Sequence, residues 1–119
     1  MASRSNSGIV TFPTPTGAWS DPTHFAIHEH ATNWEPVFVG ALSNNPDAPA
    51  TNDVVQFAAG DLSIQIDAAH GFNDAFLSVL LLVLSAFAGH VSLHTGTPTS
   101  SNELSGNGYA RATVTMVAD

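Results

Sequence analysis

The sequence predicts a mainly β fold, a single jelly-roll or β-sandwich-like domain of about seven strands with one apolar helix at about residues 74–88. Short alternating apolar segments recur between loops rich in Pro, Gly, Asn and Ser, which is typical of antiparallel strands joined by turns. One longer apolar segment without this alternation lies between Asn73 and Gly89, and its length favours a helix.

The elements follow the chain in a simple order. Residues 1–7 are polar and predict a flexible N-terminal arm, so that the domain spans residues 8–119. In the strand at 24–30, Phe25 and Ile27 share one side, and the histidines occupy the other, polar side. The seven predicted strands are 8–12, 24–30, 37–42, 54–57, 62–66, 90–94 and 109–117.

The apolar segment has the end signals of a helix. Asn73 and Asp74 suit the N-cap, and Gly89 suits the position just past the last turn. Its length of ~22 Å, at ~1.5 Å per residue, is short of the ~30 Å needed to cross a membrane. Because only Ser78 and Ser85 interrupt the apolar residues, the helix is expected to pack across the sheet and to be closed by a second subunit, in a dimer or trimer.

Charge is scarce and mostly negative. Charged residues make up 10% of the 119, and two Lys+Arg face ten Asp+Glu, giving a net charge of −8. An acidic chain of this kind is not expected to bind nucleic acid or an anionic membrane directly. A sparsely charged surface is easier to desolvate, which favours burial against other proteins. The absence of cysteine excludes disulfides and thiolate metal sites.

A histidine cluster is the sharpest sign of possible chemistry. His28 and His30 are two apart on one strand, and Glu35 follows at the spacing of the first cupin motif, so the three could hold a metal ion. The second cupin motif fails, since Ser63 stands where a histidine is expected. The alternative is that His24, His28 and His30 are surface or interface residues, and the prediction is for no metal, no cofactor and no catalytic residue.

Three aromatic residues beside loops, Trp19, Trp34 and Tyr109, are candidate anchors for a partner protein. Equally, each could belong to the core or its edge. Arg111 is one of only two cations, and it could pair with a carboxylate across an interface or inside the fold. The internal pairing is favoured, because Arg111 lies in a predicted strand.

Several short segments of the chain resemble a family of small tailed-phage virion proteins. Its members are often labelled tail fibre proteins, and relatives act as capsid cement. The resemblance covers most of residues 8–114. The segments that show the resemblance are 10–14 (VTFPT), 17–19 (GAW), 23–27 (THFAI), 40–42 (GAL), 57–62 (FAAGDL), 92–95 (SLHT), 102–106 (NELSG) and 108–111 (GYAR).

This resemblance implies a cement, or decoration, subunit that binds the major capsid protein on the outer surface of the virion shell. A tail or tail-fibre-associated protein is the alternative, and a cupin-like metal enzyme is the third. The order of these segments differs from that in the relatives. There the helix and the Gly-Tyr-Ala-Arg segment precede the Phe-Pro-Thr segment, whereas here they follow it. This predicts a circular permutation in which residues 66–73 join the old termini and the present ends lie close together.

Overall fold

The computed structural model describes residues 2–43, 47–66, 73–86 and 89–118. Within them the chain forms nine strands and one helix, which confirms the mainly β prediction. The strands are β1 (Ala2–Asn6), β2 (Val10–Thr11), β3 (His24–His28), β4 (Pro36–Ala41), β5 (Gln56–Phe57), β6 (Ser63–Ile66), β7 (His90–His94), β8 (Ala112–Thr113) and β9 (Met116–Ala118), and the helix is α1 (Asp74–Ala86).

The strands form three antiparallel sheets. The largest has the order β4-β3-β7-β8, the second has the order β6-β1-β9, and β2 pairs with β5 in the third. In the largest sheet Phe25 lies opposite both Gly40 and Leu93. A Cβ at position 40 would lie 2.9 Å from the Phe25 ring, so only glycine lets the two strands approach this closely.

The N-terminal segment differs from its sequence prediction. Residues 2–6, expected in a flexible arm, form the central strand of the second sheet, with Arg4 opposite Ile64 on one side and Ala118 on the other. Asn6 is 2% exposed. Its Oδ1 accepts hydrogen bonds from the main-chain N–H groups of Gly60 and Leu62, and its Nδ2 donates to main-chain carbonyls. Strand pairing and this side chain therefore bind the segment to the fold.

Strand β3 also differs from its prediction in one respect. Phe25 and Ile27 are fully buried as expected, but Ala26 and His28, predicted on a polar outer face, are fully buried too. The reason is that β3 is an interior strand, between β4 and β7, and side chains cover both of its faces. His30 lies beyond the end of β3 in a bend.

Helix α1 begins where the sequence predicts. The side chain of Asn73 accepts a hydrogen bond from the Phe76 N–H at 2.9 Å, which is the contact expected of an N-cap residue. Leu77 and Leu81, one turn apart, are 1% exposed and join the core. The helix packs mainly on β1 and more lightly on β9. The predicted end at residues 87–88 lies outside the described residues, and no described helix has the length and hydropathy of a membrane span.

The last predicted strand is divided into β8 and β9 by residues 114–115, so that the chain leaves the largest sheet and enters the second. As a result Ala118 pairs with Arg4, and the two ends of the described chain lie on neighbouring strands. This is the proximity that the predicted circular permutation requires. Most of the predicted junction, residues 67–72, lies outside the described residues, so the permutation stays a prediction.

The core lies between these sheets and the helix. It is built from the inward-facing apolar residues of almost every element, with Phe38 and Tyr109 at its edge. Its buried members are Val10, Phe12, Trp19, Phe25, Ile27, Leu42, Val55, Phe57, Leu62, Ile64, Leu77, Leu81, Val91, Leu93, Leu104, Ala112, Val114 and Met116.

Candidate functional site

A buried chain of polar side chains crosses from β3 to β7. His28 Nε2 lies 2.7 Å from the Ser92 hydroxyl, and the same hydroxyl lies 2.8 Å from His94 Nε2. His94 Nδ1 in turn lies 2.7 Å from Asn102 Oδ1. The antiparallel register brings these groups together, because His28, Ser92 and His94 are alternate positions on one face of two paired strands. We call these four residues the histidine network.

The direction of each hydrogen bond follows from Asn102. Its Nδ2 donates to the Thr97 carbonyl and its Oδ1 accepts from the Thr99 N–H, so the amide orientation is determined. Oδ1 therefore accepts from Nδ1–H of His94. A neutral His94 then accepts the Ser92 hydroxyl proton at Nε2, and Ser92 accepts from Nε2–H of His28. In the neutral network each hydrogen bond is therefore donated in one direction, from His28 through Ser92 and His94 to Asn102.

Both buried histidines favour the neutral form. The pKa of His28 is lowered to about 4, chiefly by burial and also by the Arg111 guanidinium, while Glu103 and the main chain of Glu35 act in the opposite direction. The pKa of His94 is also lowered, again chiefly by burial, although Asn102 and Glu103 partly offset the shift. The His28 Nδ1 is buried without a hydrogen-bond partner in the described part of the chain.

Trp34 lies across the two rings. Its ring centroid is 5.9 Å from that of His28 and 5.6 Å from that of His94, and both contacts are edge-to-face. This large side chain covers the network on the side of the loop that follows β3, and it separates the imidazoles from water. Trp34, a predicted interface anchor, is half-buried and has this internal role.

Arg111 forms the internal pair that the sequence favours. Its Nε and Nη2 donate to the two carboxylate oxygens of Glu103 at 3.0 and 2.9 Å, and its Nη1 donates to the main-chain carbonyls of His30 and Asn33. Tyr109 donates its hydroxyl proton to Glu103 at 2.7 Å. The Arg111 side chain is 5% exposed, and its contacts join the connection between β7 and β8 to the loop that follows β3.

The charge of Glu103 depends on these partners. Burial by itself raises the pKa of Glu103, but the hydrogen bonds from Arg111 and Tyr109 outweigh it and lower the pKa below the ordinary value. Burial, with the nearby Glu103 charge, raises the pKa of Tyr109, so its hydroxyl stays protonated. Glu103 is therefore a carboxylate whose hydrogen bonds are already used within the fold.

The other predicted anchors also face inward. Trp19 is 4% exposed, and its indole N–H donates to the Asn107 carbonyl at 2.9 Å. Its ring contacts Tyr109 edge-to-face at 5.4 Å, and Tyr109 stacks on Phe12 at 6.2 Å. Trp19 is thus a core residue and cannot serve as an anchor for a partner.

The three metal-site candidates are not brought together. His28 is fully buried in the network, the side chain of His30 is 60% exposed, and Glu35 is exposed. In the part of the chain that the structure describes, no group of three or more His, Asp or Glu residues is arranged to hold a metal ion. The arrangement of His28 therefore gives no support to the cupin-like alternative.

Serine, histidine and asparagine together suggest a hydrolytic triad, but access decides against that use. Ser92 and His94 are both 0% exposed. The adjoining groove, of about 360 Å³, is lined by Glu103, Tyr109 and Arg111 but not by Ser92. A nucleophile must reach its substrate within hydrogen-bond distance, and Ser92 instead holds two strands together. The sequence gives no local signal for this network, because His28 and Ser92 are 64 residues apart.

Apolar side chains that remain exposed mark the surface suited to partners. Helix α1 leaves Phe76, Val79 and Val83 about half exposed, and the segments that precede β2 and β5 leave Ile9 65% and Val54 72% exposed. Apolar side chains clustered on one helix face are characteristic of protein contact surfaces. This pattern predicts a protein that functions through contacts with other proteins.

The fold and the site define a mainly β domain with a closed polar interior and exposed apolar side chains, and the comparison with known families gives its class. Residues 1–65, more than half of the 119, match the model of the family described as Podophage GP4 fiber I protein gp80. The chain belongs to this family and is a phage structural protein of the virion. No curated protein and no solved structure matches it.

Proposed function

We propose that this chain is a fibre-type structural subunit of the phage tail, held in the particle by protein–protein contacts. The observation that carries the proposal is the family match over residues 1–65, since the family is described as a fibre protein. The exposed apolar face of α1 supplies a surface for contact with another protein chain. The buried histidine network and the Glu103–Arg111 pair support the role differently, because they stiffen the domain without offering a reactive group to solvent.

The charge distribution supports a position outside the packaged genome. The two Lys+Arg residues are Arg4 and Arg111, set against ten Asp+Glu. Arg4 is half-buried and donates to the Met116 carbonyl, and Arg111 is occupied by Glu103. With neither cation available to phosphates, the acidic surface repels nucleic acid. A subunit on the exterior of the particle experiences no such penalty.

The second candidate is a capsid cement subunit that binds the outer surface of the major capsid protein. It is favoured by two exposed apolar side chains away from α1, Ile9 just before β2 and Val54 shortly before β5. Apolar surface in more than one place allows one subunit to bridge two neighbours. A subunit that binds only the assembled shell stabilises it by mass action. The sparse charge of the chain, 10%, lowers the cost of covering these sites.

Location and copy number separate the two roles. Purified virions are disrupted into heads and tails, and the chain is quantified in each fraction against the major capsid protein. The fibre proposal predicts a small number of copies that remain with the tail and antibody labelling at one vertex. Many copies that remain with the head would reject it and support the cement role. Absence from both fractions would reject both roles.

A further inference from the structure

Helix α1 carries two apolar stripes, one buried in the core and one partly exposed. Leu77 and Leu81 face the core and are 1% exposed. A second set, which we call the outer stripe, consists of Phe76, Val79, Leu80 and Val83, with exposed fractions of 49, 58, 37 and 52%. Their spacing of i, i+3, i+4 and i+7 is that of a seam between two helices. The outer stripe thus has the pattern of a contact with another helix.

The surroundings of the outer stripe lack charge. From Asp74 to Ala86, the only charged residue is Asp74 at the first position, and Ser78 is an exposed neighbour without charge. The side chains that usually keep a surface helix soluble, lysine and glutamate, are missing from α1. A neutral stripe matters in a chain of net charge −8, because two copies can approach there without opposing like charges.

We propose that the outer stripe packs against the outer stripe of a second copy of this chain. The stripe is self-complementary, since branched and aromatic side chains at seam positions interdigitate with an identical set related by a two-fold axis. Asp74 lies at one end of the helix, so an antiparallel pair keeps the two Asp74 charges at opposite ends. The pairing of α1 with α1 holds wherever in the particle the subunit lies.

The size of the stripe sets the strength of the contact. Its four side chains, Leu82 at 57% exposure and the surface between them offer on the order of 500 Å² per copy. A pair therefore buries about 1,000 Å², at the lower limit for a specific interface. We expect a dissociation constant in the micromolar range for the isolated chain, strengthened in a particle where neighbours hold the copies close together.

Sedimentation velocity of the whole chain at about 5 to about 500 µM tests the proposal. The wild type is expected to shift from monomer to dimer across this range, and Val79→Lys to stay monomeric, with an affinity at least ten-fold weaker. The matched control is Val54→Lys. It places the same charge at an apolar position that is 72% exposed and lies shortly before β5, away from α1. It should dimerise like the wild type, and circular dichroism verifies that both variants are folded.

Three outcomes overturn the proposal. These are a wild type that is monomeric at the highest concentration, a Val79→Lys variant that dimerises unchanged, and a Val54→Lys variant that dissociates as completely as Val79→Lys. If the wild type is monomeric and the Val79→Lys variant also fails to enter particles, the outer stripe binds a different virion protein. That result equally rejects a second copy of this chain as the occupant.

A cysteine cross-link gives an independent measurement, because the chain has no cysteine of its own. Leu80→Cys, near the middle of the outer stripe, is expected to form a disulfide-linked dimer on mild oxidation, whereas Val54→Cys stays monomeric. Equal cross-linking of the two variants would reject the seam. Failure of the tail location, measured on virions, leaves these results unaffected, so the two proposals fail separately.

Discussion

Acid should weaken the fold through the histidine network, and His28 provides the magnitude. Its pKa is lowered by burial from 6.5 to about 4, so the unfolded chain takes up this proton before the folded one does. The stabilisation is therefore complete above about pH 6.5 and is lost progressively as the pH falls towards 4. At about pH 5 the loss from His28 is about 1–2 kcal/mol. His94, whose pKa is also lowered, adds to it.

Urea unfolding at about pH 7.5 and about pH 5 measures this loss. The wild type is compared with His28→Gln, which keeps an N–H donor for Ser92 but does not titrate. The matched control is His30→Gln, whose side chain is 60% exposed in the wild type. We expect His28→Gln to be less stable than the wild type at neutral pH. The difference between its free energies of unfolding at the two pH values should be smaller than that of the wild type by about 1–2 kcal/mol.

The control should keep the full pH dependence of the wild type. The reasoning is refuted if His28→Gln loses as much free energy of unfolding on acidification as the wild type does, since the proton uptake would then occur elsewhere. Glu103 acts in a separate, lower window. Its pKa is lowered in the folded state, so its contribution is present above the ordinary carboxyl pKa of about 4.5 and is lost only below it.

Three further predictions concern stability in urea. Asn6→Ala should cost about 2–4 kcal/mol, because buried main-chain groups lose their partners; a change below about 0.5 kcal/mol, typical of exposed sites, would restore the flexible-arm interpretation. Glu103→Gln should cost about 3–5 kcal/mol by leaving the buried Arg111 charge unpaired, and adding Arg111→Met should recover part of that loss. Leu81→Ala should cost about 2–5 kcal/mol and Leu82→Ala less than about 1 kcal/mol, because only Leu81 is buried; equal losses would contradict the orientation of α1.

Local signals explain which parts of the fold were predictable. Strand 90–94 and the start of α1 at Asn73 were predicted correctly, because alternation and capping depend on neighbours in the chain. The polar strand β1 was not, since residues 2–6 carry no apolar pattern and are held by partners at 63–66 and 116–118. Strand β1 was missed because its residues are polar and its pairing partners, which hold it in place, lie far along the sequence.

The candidate site shows the same division. The internal pairing of Arg111 was predicted from a strand over 109–117; the structure places Arg111 just before β8, and Glu103 is its partner. The histidines of β3 suggested metal or surface chemistry, because their spacing is visible in the sequence whereas Ser92 and His94 belong to a distant strand. The sequence does not show that β3 lies between β4 and β7. This interior position contributes to the burial of His28.

The central position of β1 has a consequence for synthesis. Strand β9 must add to β1, although the two strands lie far apart in the sequence, with residue 4 opposite residue 118. On the ribosome the segment 2–6 can pair with 63–66, but the edge that β9 occupies stays open until translation reaches β9. Helix α1 packs on this same sheet and so has only part of its support until then. Completion of the domain is thereby delayed until β9 has been made, which limits premature assembly of half-made subunits.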